Sequence, residues 1–170
     1  AICSAAAPII RAAAESFSQL RVLEAKGPDG IGKRNALRQG IEAAQFEYVL
    51  LTDADCRPSS LFWAGRMLAA MKETGAALVL GIGNYNYRRG VLNGFIRFET
   101  LITALQFFGA SANRLSYMAL GRNMAVRKEA ALQVMQDESD WPSLSGDDDQ
   151  LAQGIARRWK VARVAHPDAI

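Results

Sequence analysis

Two aspartates, Asp53 and Asp55, stand one residue apart directly after the apolar run at residues 46–52. Residues two apart in an extended chain point to the same side, so both carboxylates can face one point. Like charges this close repel each other unless a cation or hydrogen-bond donors neutralise them. An Asx turn that ends the strand is the alternative, but two aspartates fit it less well than one. The pattern therefore favours a divalent ion such as Mg²⁺ or Mn²⁺, which prefers oxygen ligands.

A second acidic cluster, formed by Asp147, Asp148 and Asp149, begins a predicted helix in the segment SGDDDQL. Acidic side chains at a helix N-terminus are favoured by capping and by the helix dipole. A carboxylate in that position can also act as a general base that polarises a hydroxyl for attack. Spacing alone leaves these two interpretations evenly matched.

Two weaker signals come from Lys33 and Asn123. Lys33 follows the loop GPDGIG at the start of a predicted helix, where it can pair with a phosphate. The loop is not a Walker A motif, because Arg34 stands where Ser or Thr is required, and a solvated turn is its commoner use. Asn123, in the segment ALGRNMAVRKEA, can cap a turn or donate a hydrogen bond to a sugar hydroxyl.

The overall composition is that of one globular domain covering residues 1–170, because half of the residues are hydrophobic and 22% are charged. The net charge of +3 is spread along the chain, which argues against a nucleic-acid partner. Two cysteines, Cys3 and Cys56, and the single His166 provide neither a disulfide framework nor a zinc pattern. These counts favour a reducing compartment.

The elements that must position the candidate residues alternate between strands and helices. Apolar runs predict strands at residues 20–25, 46–52, 76–83, 121–126 (a strand or a turn) and 161–165. Periodicity and breakers predict helices at 4–18, 33–45, 59 or 60 to 74, 90–110, 128–135 and 146–159, with Ser59 or Ser60 as a cap. Strands that are apolar along their whole length predict an α/β sandwich of three layers with a mixed, mostly parallel sheet. Asp53 and Asp55 then fall at the carboxyl end of a strand, where open α/β sheets bind ligands.

Three segments, taken together and in this order, resemble the family 2 glycosyltransferases over nearly the whole chain. They are GKRNALRQGIEAAQFEYVLLTDADCRPSSLFW, LGRNMAVRKEA and SGDDDQLAQGIARRWKVARVAHPDA. The first is similar to the family's Lys-x-x-Ala-Leu helix, strand and DxD motif, the second to its Gly-x-Asn-x-Ala segment, and the third to its catalytic acids. The resemblance implies a Rossmann-like GT-A fold and transfer of a sugar, with inversion, from a nucleotide diphosphate sugar to an acceptor hydroxyl.

The same resemblance implies a role for each candidate residue. Asp53 would contact the ribose or phosphate side of the donor, and Asp55 would bind the Mg²⁺ or Mn²⁺ that bridges the diphosphate. Asp148 would be the general base, with Asp147 as the second choice. Lys33 would contact the nucleotide. The implied acceptor is a saccharide or a lipid-linked molecule.

The chain departs from the family pattern at its beginning. The family starts with a strand and a nucleotide-binding loop that are not found here, and the chain begins at Ala1 without methionine or a signal peptide. We therefore expect a fragment, incomplete at the N-terminus, that binds a nucleotide sugar weakly or not at all. The resemblance implies a cytoplasmic protein, or one at the inner face of the membrane held there by segments outside this sequence.

Two other functions and one further motif fit parts of this sequence less well. A phosphohydrolase of the haloacid dehalogenase type also places Asp-x-Asp after an apolar strand, but it requires Thr and an apolar residue where Arg57 and Pro58 stand. A non-catalytic carbohydrate- or metal-binding module with the same fold is the other alternative. The segment QGIARRW is similar to the Gln-x-x-Arg-Trp motif of processive synthases, but its spacing is one residue too long, so we interpret Trp159 as a packing residue at a helix end.

Overall fold

The computed structural model describes residues 7–23, 33–137 and 146–170. The chain divides into two compact units, Ala1–Gln45 and Phe46–Ile170. Within the described residues, no helix is both long enough and apolar enough to cross a membrane. The helices are α1 (Ala7–Ser16), α2 (Lys33–Ala43), α3 (Trp63–Thr74), α4 (Val91–Ala112), α5 (Lys128–Gln136) and α6 (Asp147–Arg158); the strands are β1 (Tyr48–Leu51), β2 (Leu78–Gly81), β3 (Met124–Arg127) and β4 (Val161–Val164); a 3₁₀ turn covers Pro167–Ala169.

The first unit contains α1 and α2, both of which the sequence predicts. The strand expected at residues 20–25 is wrong for its described part, since residues 20–23 adopt no regular structure. Instead, the Leu20 N–H donates to the Phe17 carbonyl at 2.9 Å, so this backbone closes a turn after the helix. The rest of that strand and the loop before Lys33 lie outside the described residues.

The second unit is built on a four-stranded sheet with the strand order β1-β3-β2-β4. Strand β3 pairs antiparallel with both β1 and β2, and β2 pairs parallel with β4. Three of the described strands therefore run in one direction and β3 runs against them. The predicted α/β fold with a mixed, mostly parallel sheet is confirmed, although the strands are short, at four residues each.

Helices cover both faces of this sheet. Val79 and Ala125 pack on Met67 and Met71 of α3 in one buried cluster. Neighbouring residues of a strand point to opposite faces, and the next residues of β2, such as Leu78, are also fully buried. Helices α5 and α6 contact β3 and β2 respectively. This burial explains why the strands read as continuous apolar runs.

The start of α3 differs from the prediction. The helix begins at Trp63 without a side-chain cap, whereas Ser59 or Ser60 was expected to cap it. The Ser59 hydroxyl donates to the Ile170 carbonyl at 2.8 Å, so it anchors the last residue of the chain. The Ser60 hydroxyl accepts from the Phe62 N–H at 3.1 Å, which closes a turn before the helix. The prediction that Ser59 caps the helix is wrong because its hydroxyl bonds Ile170, which is distant in the sequence.

Candidate functional site

Asp53 and Asp55, called the acid pair below, follow β1 directly. The Cys56 N–H donates to the Asp53 carbonyl at 3.1 Å, so backbone atoms close the turn after the strand. One side-chain ligand atom from each of Asp53, Asp55 and Cys56 lies within 4.8 Å of the other two. The two carboxylates therefore approach one point at the end of β1, through a turn and not through the extended chain that the spacing predicts.

The Cys56 thiol is a hydrogen-bond donor in this cluster. Its Sγ lies 3.7 Å from Asp55 Oδ1. Burial raises the pKa of the Cys56 thiol, and the negative charges of Asp55 and Asp53 raise it further. The thiol therefore stays protonated at neutral pH, and the charged ligands are the two carboxylates. Such a set of hard oxygen ligands fits Mg²⁺ or Mn²⁺ better than a soft metal.

The acid pair lines a cleft of about 420 Å³ that also contains three arginines, Arg57, Arg97 and Arg122. Arg97 donates to the Tyr85 carbonyl at 2.7 Å, and its guanidinium lies 5.8 Å from the centre of the Tyr87 ring. The guanidinium of Arg122 lies 5.7 Å from the centre of the Tyr85 ring. Two tyrosines of the loop after β2 therefore lie against two arginine side chains. The cleft therefore presents two carboxylates and three guanidinium groups, a combination that suits a phosphate ligand bound together with a metal ion.

Asn123 lies beside this cleft and is only 3% exposed. Its Oδ1 accepts from Trp63 Nε1 at 2.9 Å. Its Nδ2 donates to the carbonyls of Ile82 at 2.8 Å and Ala169 at 2.6 Å. A methyl group on Gly81 would overlap the Asn123 amide. These contacts assign Asn123 a positioning role that links α3, the loop after β2 and the 3₁₀ turn, and a contact to the donor stays a prediction.

The three aspartates at the start of α6 have three different environments. Asp147 is 8% exposed. The Asp148 carboxylate lies so close to Gly121 that a methyl group there would overlap it. Asp149 Oδ1 accepts from the Ala119 N–H at 3.0 Å. Two of the three acids therefore contact residues 119–123, the turn that leads into β3.

The structure brings some of the predicted site residues into one cleft. Asp53, Asp55 and Asn123 line the same cleft. The acids of α6 are not among the residues that line it, but the turn they contact also supplies Arg122 to the cleft. Lys33 begins α2 in the first unit, and its contact with a nucleotide stays a prediction.

Sequence reasoning missed the arginines and tyrosines of the cleft. A signal for the tyrosines exists in GIGNYNYRRG, residues 81–90, where aromatic and basic residues follow a buried strand. Gly83 in this run allows the Arg122 side chain to lie against the backbone. Three glycines, two tyrosines and two arginines in ten residues are more than a simple connection needs.

Asn123→Asp tests the positioning role of the amide. The change replaces two N–H donors by a carboxylate oxygen that faces two backbone carbonyls, so we expect the free energy of unfolding to fall by at least about 2 kcal/mol. Urea unfolding measures the loss. Asn84→Asp is the control, because Asn84 is exposed and its Oδ1 acceptor is retained. Equal stability of the two variants would contradict the role.

Asp149→Asn tests whether the negative charge of Asp149 at the start of α6 lowers the free energy of unfolding. Burial raises the pKa of Asp149 above its ordinary 3.8, partly offset by the Ala119 N–H, with the Asp148 charge adding to the increase. The ionised form is therefore disfavoured by folding, and this cost is present above the folded pKa and disappears as pH falls through it toward 3.8. The amide keeps an acceptor for Ala119, so the variant should be at least as stable as the wild type at pH 7.

The pH dependence separates this cost from the hydrogen bond. Urea unfolding at several pH values between 4 and 7 should show the advantage of Asp149→Asn shrinking as the pH falls. Asp149→Ala removes the acceptor and should be less stable than Asp149→Asn by about 1 kcal/mol at every pH. A stability difference between Asp149→Asn and the wild type that does not change with pH would refute the electrostatic explanation.

No curated protein matches the chain significantly. The sequence matches glycosyl transferase family 2 over residues 4–131. This span covers most of the chain and contains the acid pair, the arginines of the cleft and the turn at residues 119–123. The α/β fold and the extent of the match show that the chain belongs to the family 2 glycosyltransferases.

Proposed function

We propose that this protein transfers a sugar from a nucleotide diphosphate sugar to an acceptor hydroxyl, with inversion, in a reaction that depends on Mg²⁺ or Mn²⁺. The observation that carries the proposal is the cleft at the end of β1, where the acid pair and three arginines line one space. Family membership favours sugar transfer over the phosphohydrolase alternative. The acceptor is a saccharide or a lipid-linked hydroxyl compound.

The charges of the cleft suit a diphosphate only together with a divalent ion. The acid pair alone would repel a diphosphate, whereas carboxylates bound to Mg²⁺ or Mn²⁺ would not. When bound, the ion offsets the negative charge that develops on the leaving diphosphate. In this proposal Asp55 binds the ion, Asp53 contacts the ribose or phosphate side of the donor, and Arg122 pairs with phosphate oxygens.

The contacts of α6 favour Asp148 as the general base. Asp147 is buried, which removes it from an incoming acceptor. Asp149 already accepts a backbone N–H from Ala119. Asp148 is half-buried and lies against Gly121, next to Arg122 of the cleft.

The proposed reaction is a single displacement at the anomeric carbon of the donor. Asp148 takes the proton of the acceptor hydroxyl as its oxygen bonds to the anomeric carbon. The bond from that carbon to the diphosphate oxygen breaks on the opposite face, and the nucleoside diphosphate leaves with the electron pair. The product is a glycoside of inverted configuration.

Asp148→Asn and Asp55→Asn, made in the full-length protein, test the two proposed roles separately. Asp148→Asn should lower the transfer rate by about 10²–10⁴-fold, the usual contribution of a general base, with Mn²⁺-dependent donor binding unchanged. Asp55→Asn should weaken Mn²⁺ binding in calorimetric titration. Glu73→Gln, an exposed change outside the cleft, should alter neither quantity.

The outcomes also separate the proposal from its alternatives. Unchanged transfer in Asp148→Asn would refute the assignment of the base. A wild-type protein that binds Mn²⁺ and donor but transfers no sugar would favour the non-catalytic module. Donor binding that is insensitive both to Mn²⁺ and to Asp55→Asn would refute the metal site.

Gly121→Ala tests whether the turn at residues 119–123 positions the base. The added methyl group would overlap the Asp148 carboxylate and displace it, and a shift of about 1 Å can lower kcat by about 10²-fold. The KM for the donor should change little, because the acid pair is untouched. Gly65→Ala is the matched control, since nothing lies within 4 Å of a methyl group there. Equal kcat values for the two variants would contradict the positioning role.

A further inference from the structure

Helix α4, Val91–Ala112, has a large apolar surface that the rest of the structure leaves exposed. Phe95 is 64% exposed and Phe98 is 61% exposed. They belong to a set of exposed apolar residues along the helix, called the α4 outer face below: Val91, Leu92, Phe95, Phe98, Leu101, Ile102 and Leu105.

The outer face lies opposite the side of α4 that packs on the protein. The buried residues Thr100, Ala104, Phe107 and Ser111 recur every three or four positions, which defines one side of a helix. Residues 91, 95, 98, 102 and 105 recur with the same period on the other side. A helix that is apolar on both sides is ordinarily buried on both sides. Helix α4 has 22 residues, which gives it a length of about 33 Å.

Positive charges stand at both ends of the outer face. Arg88 and Arg89 precede the helix and Arg114 follows it, and all three side chains are exposed. Glu99 is the only acid in α4, and Arg97 is engaged with the cleft loop. The outer face is therefore an apolar strip bounded by arginines, which is the pattern of helices that lie in the headgroup region of an anionic membrane.

We propose that α4 binds the surface of a membrane that contains anionic lipids, with its outer face among the acyl chains nearest the headgroups. The helix lies in the plane of the surface, and Arg88, Arg89 and Arg114 pair with lipid phosphates or carboxylates. This proposal stands independently of the reaction proposed above, because it uses none of the residues of the acid pair or of α6.

A second copy of the chain is the alternative occupant, and the charges disfavour it. A symmetric dimer buries the same patch from both copies. If the two α4 helices ran antiparallel, Arg88 and Arg89 of one copy would face Arg114 of the other. If they ran parallel, each arginine would face its own counterpart. Both arrangements bring like charges together at both ends of an apolar interface.

Vesicle sedimentation tests the proposal. The protein should bind vesicles of phosphatidylcholine and phosphatidylserine more tightly than vesicles of phosphatidylcholine alone, and added salt should reduce that difference. The double variant Phe95→Ser, Phe98→Ser should weaken binding by at least about tenfold, because two apolar side chains no longer leave water. Phe46→Ser is the matched control, since Phe46 is exposed but lies outside α4.

A second measurement does not depend on the stability of the serine variants. In Phe98→Trp the new indole should shift its fluorescence to the blue on vesicle binding and be quenched by lipids brominated on the acyl chains. Absence of binding to anionic vesicles, an equal loss in Phe46→Ser, or an indole at position 98 that lipid does not quench would each overturn the proposal. So would a wild-type dimer in sedimentation equilibrium that Phe95→Ser, Phe98→Ser converts to a monomer, since a second copy would then cover the face.

Discussion

The second unit depends on the hydrogen bonds of one buried amide, that of Asn123. The amide bonds an indole N–H of α3, the Ile82 carbonyl after β2 and the Ala169 carbonyl near the end of the chain. Each of these groups lies where a helix, strand or turn begins or ends. The hydrogen bonds between neighbouring strands therefore do not provide a partner for it. A buried polar group without a partner costs more than its hydrogen bond contributes. One side chain therefore fixes three segments that meet at the edge of the cleft.

The turn at residues 119–123 connects this amide to both halves of the proposed chemistry. Arg122 points into the cleft that contains the acid pair, while Gly121 accommodates the Asp148 carboxylate and the Ala119 N–H binds Asp149. The proposed donor site in the cleft and the proposed base on α6 are thus positioned against the same five residues. Because Gly121 has no side chain, the Asp148 carboxylate can approach it closely. This close approach is a physical reason for a glycine at that position of the Gly-x-Asn segment.

Local patterns in the sequence predict what local forces determine. The acid pair was found because its two residues are neighbours in the sequence, the main helices because their burial is periodic, and the strands because they are continuous apolar runs. Ser59 was assigned wrongly because its partner, Ile170, is 111 positions away. The positioning contacts of Asn123 were not predicted because its three partners are likewise distant in the sequence. Arg97 was missed because only the folded chain brings it from the middle of α4 to the cleft.

Arg97 also connects the cleft with the apolar surface of α4. Arg97 lies on the flank of the helix, between its buried side and its outer face, and donates to the Tyr85 carbonyl in the cleft loop. A helix with side chains is about 10–12 Å wide, so a membrane that covered the outer face would lie about one helix diameter from this wall of the cleft. If the acceptor is lipid-linked, as proposed, its hydroxyl would lie at that level of the headgroup region. A surface-bound α4 would therefore let such an acceptor reach the donor without its chain leaving the bilayer, which gives the exposed apolar face and the arginine of the cleft one common explanation.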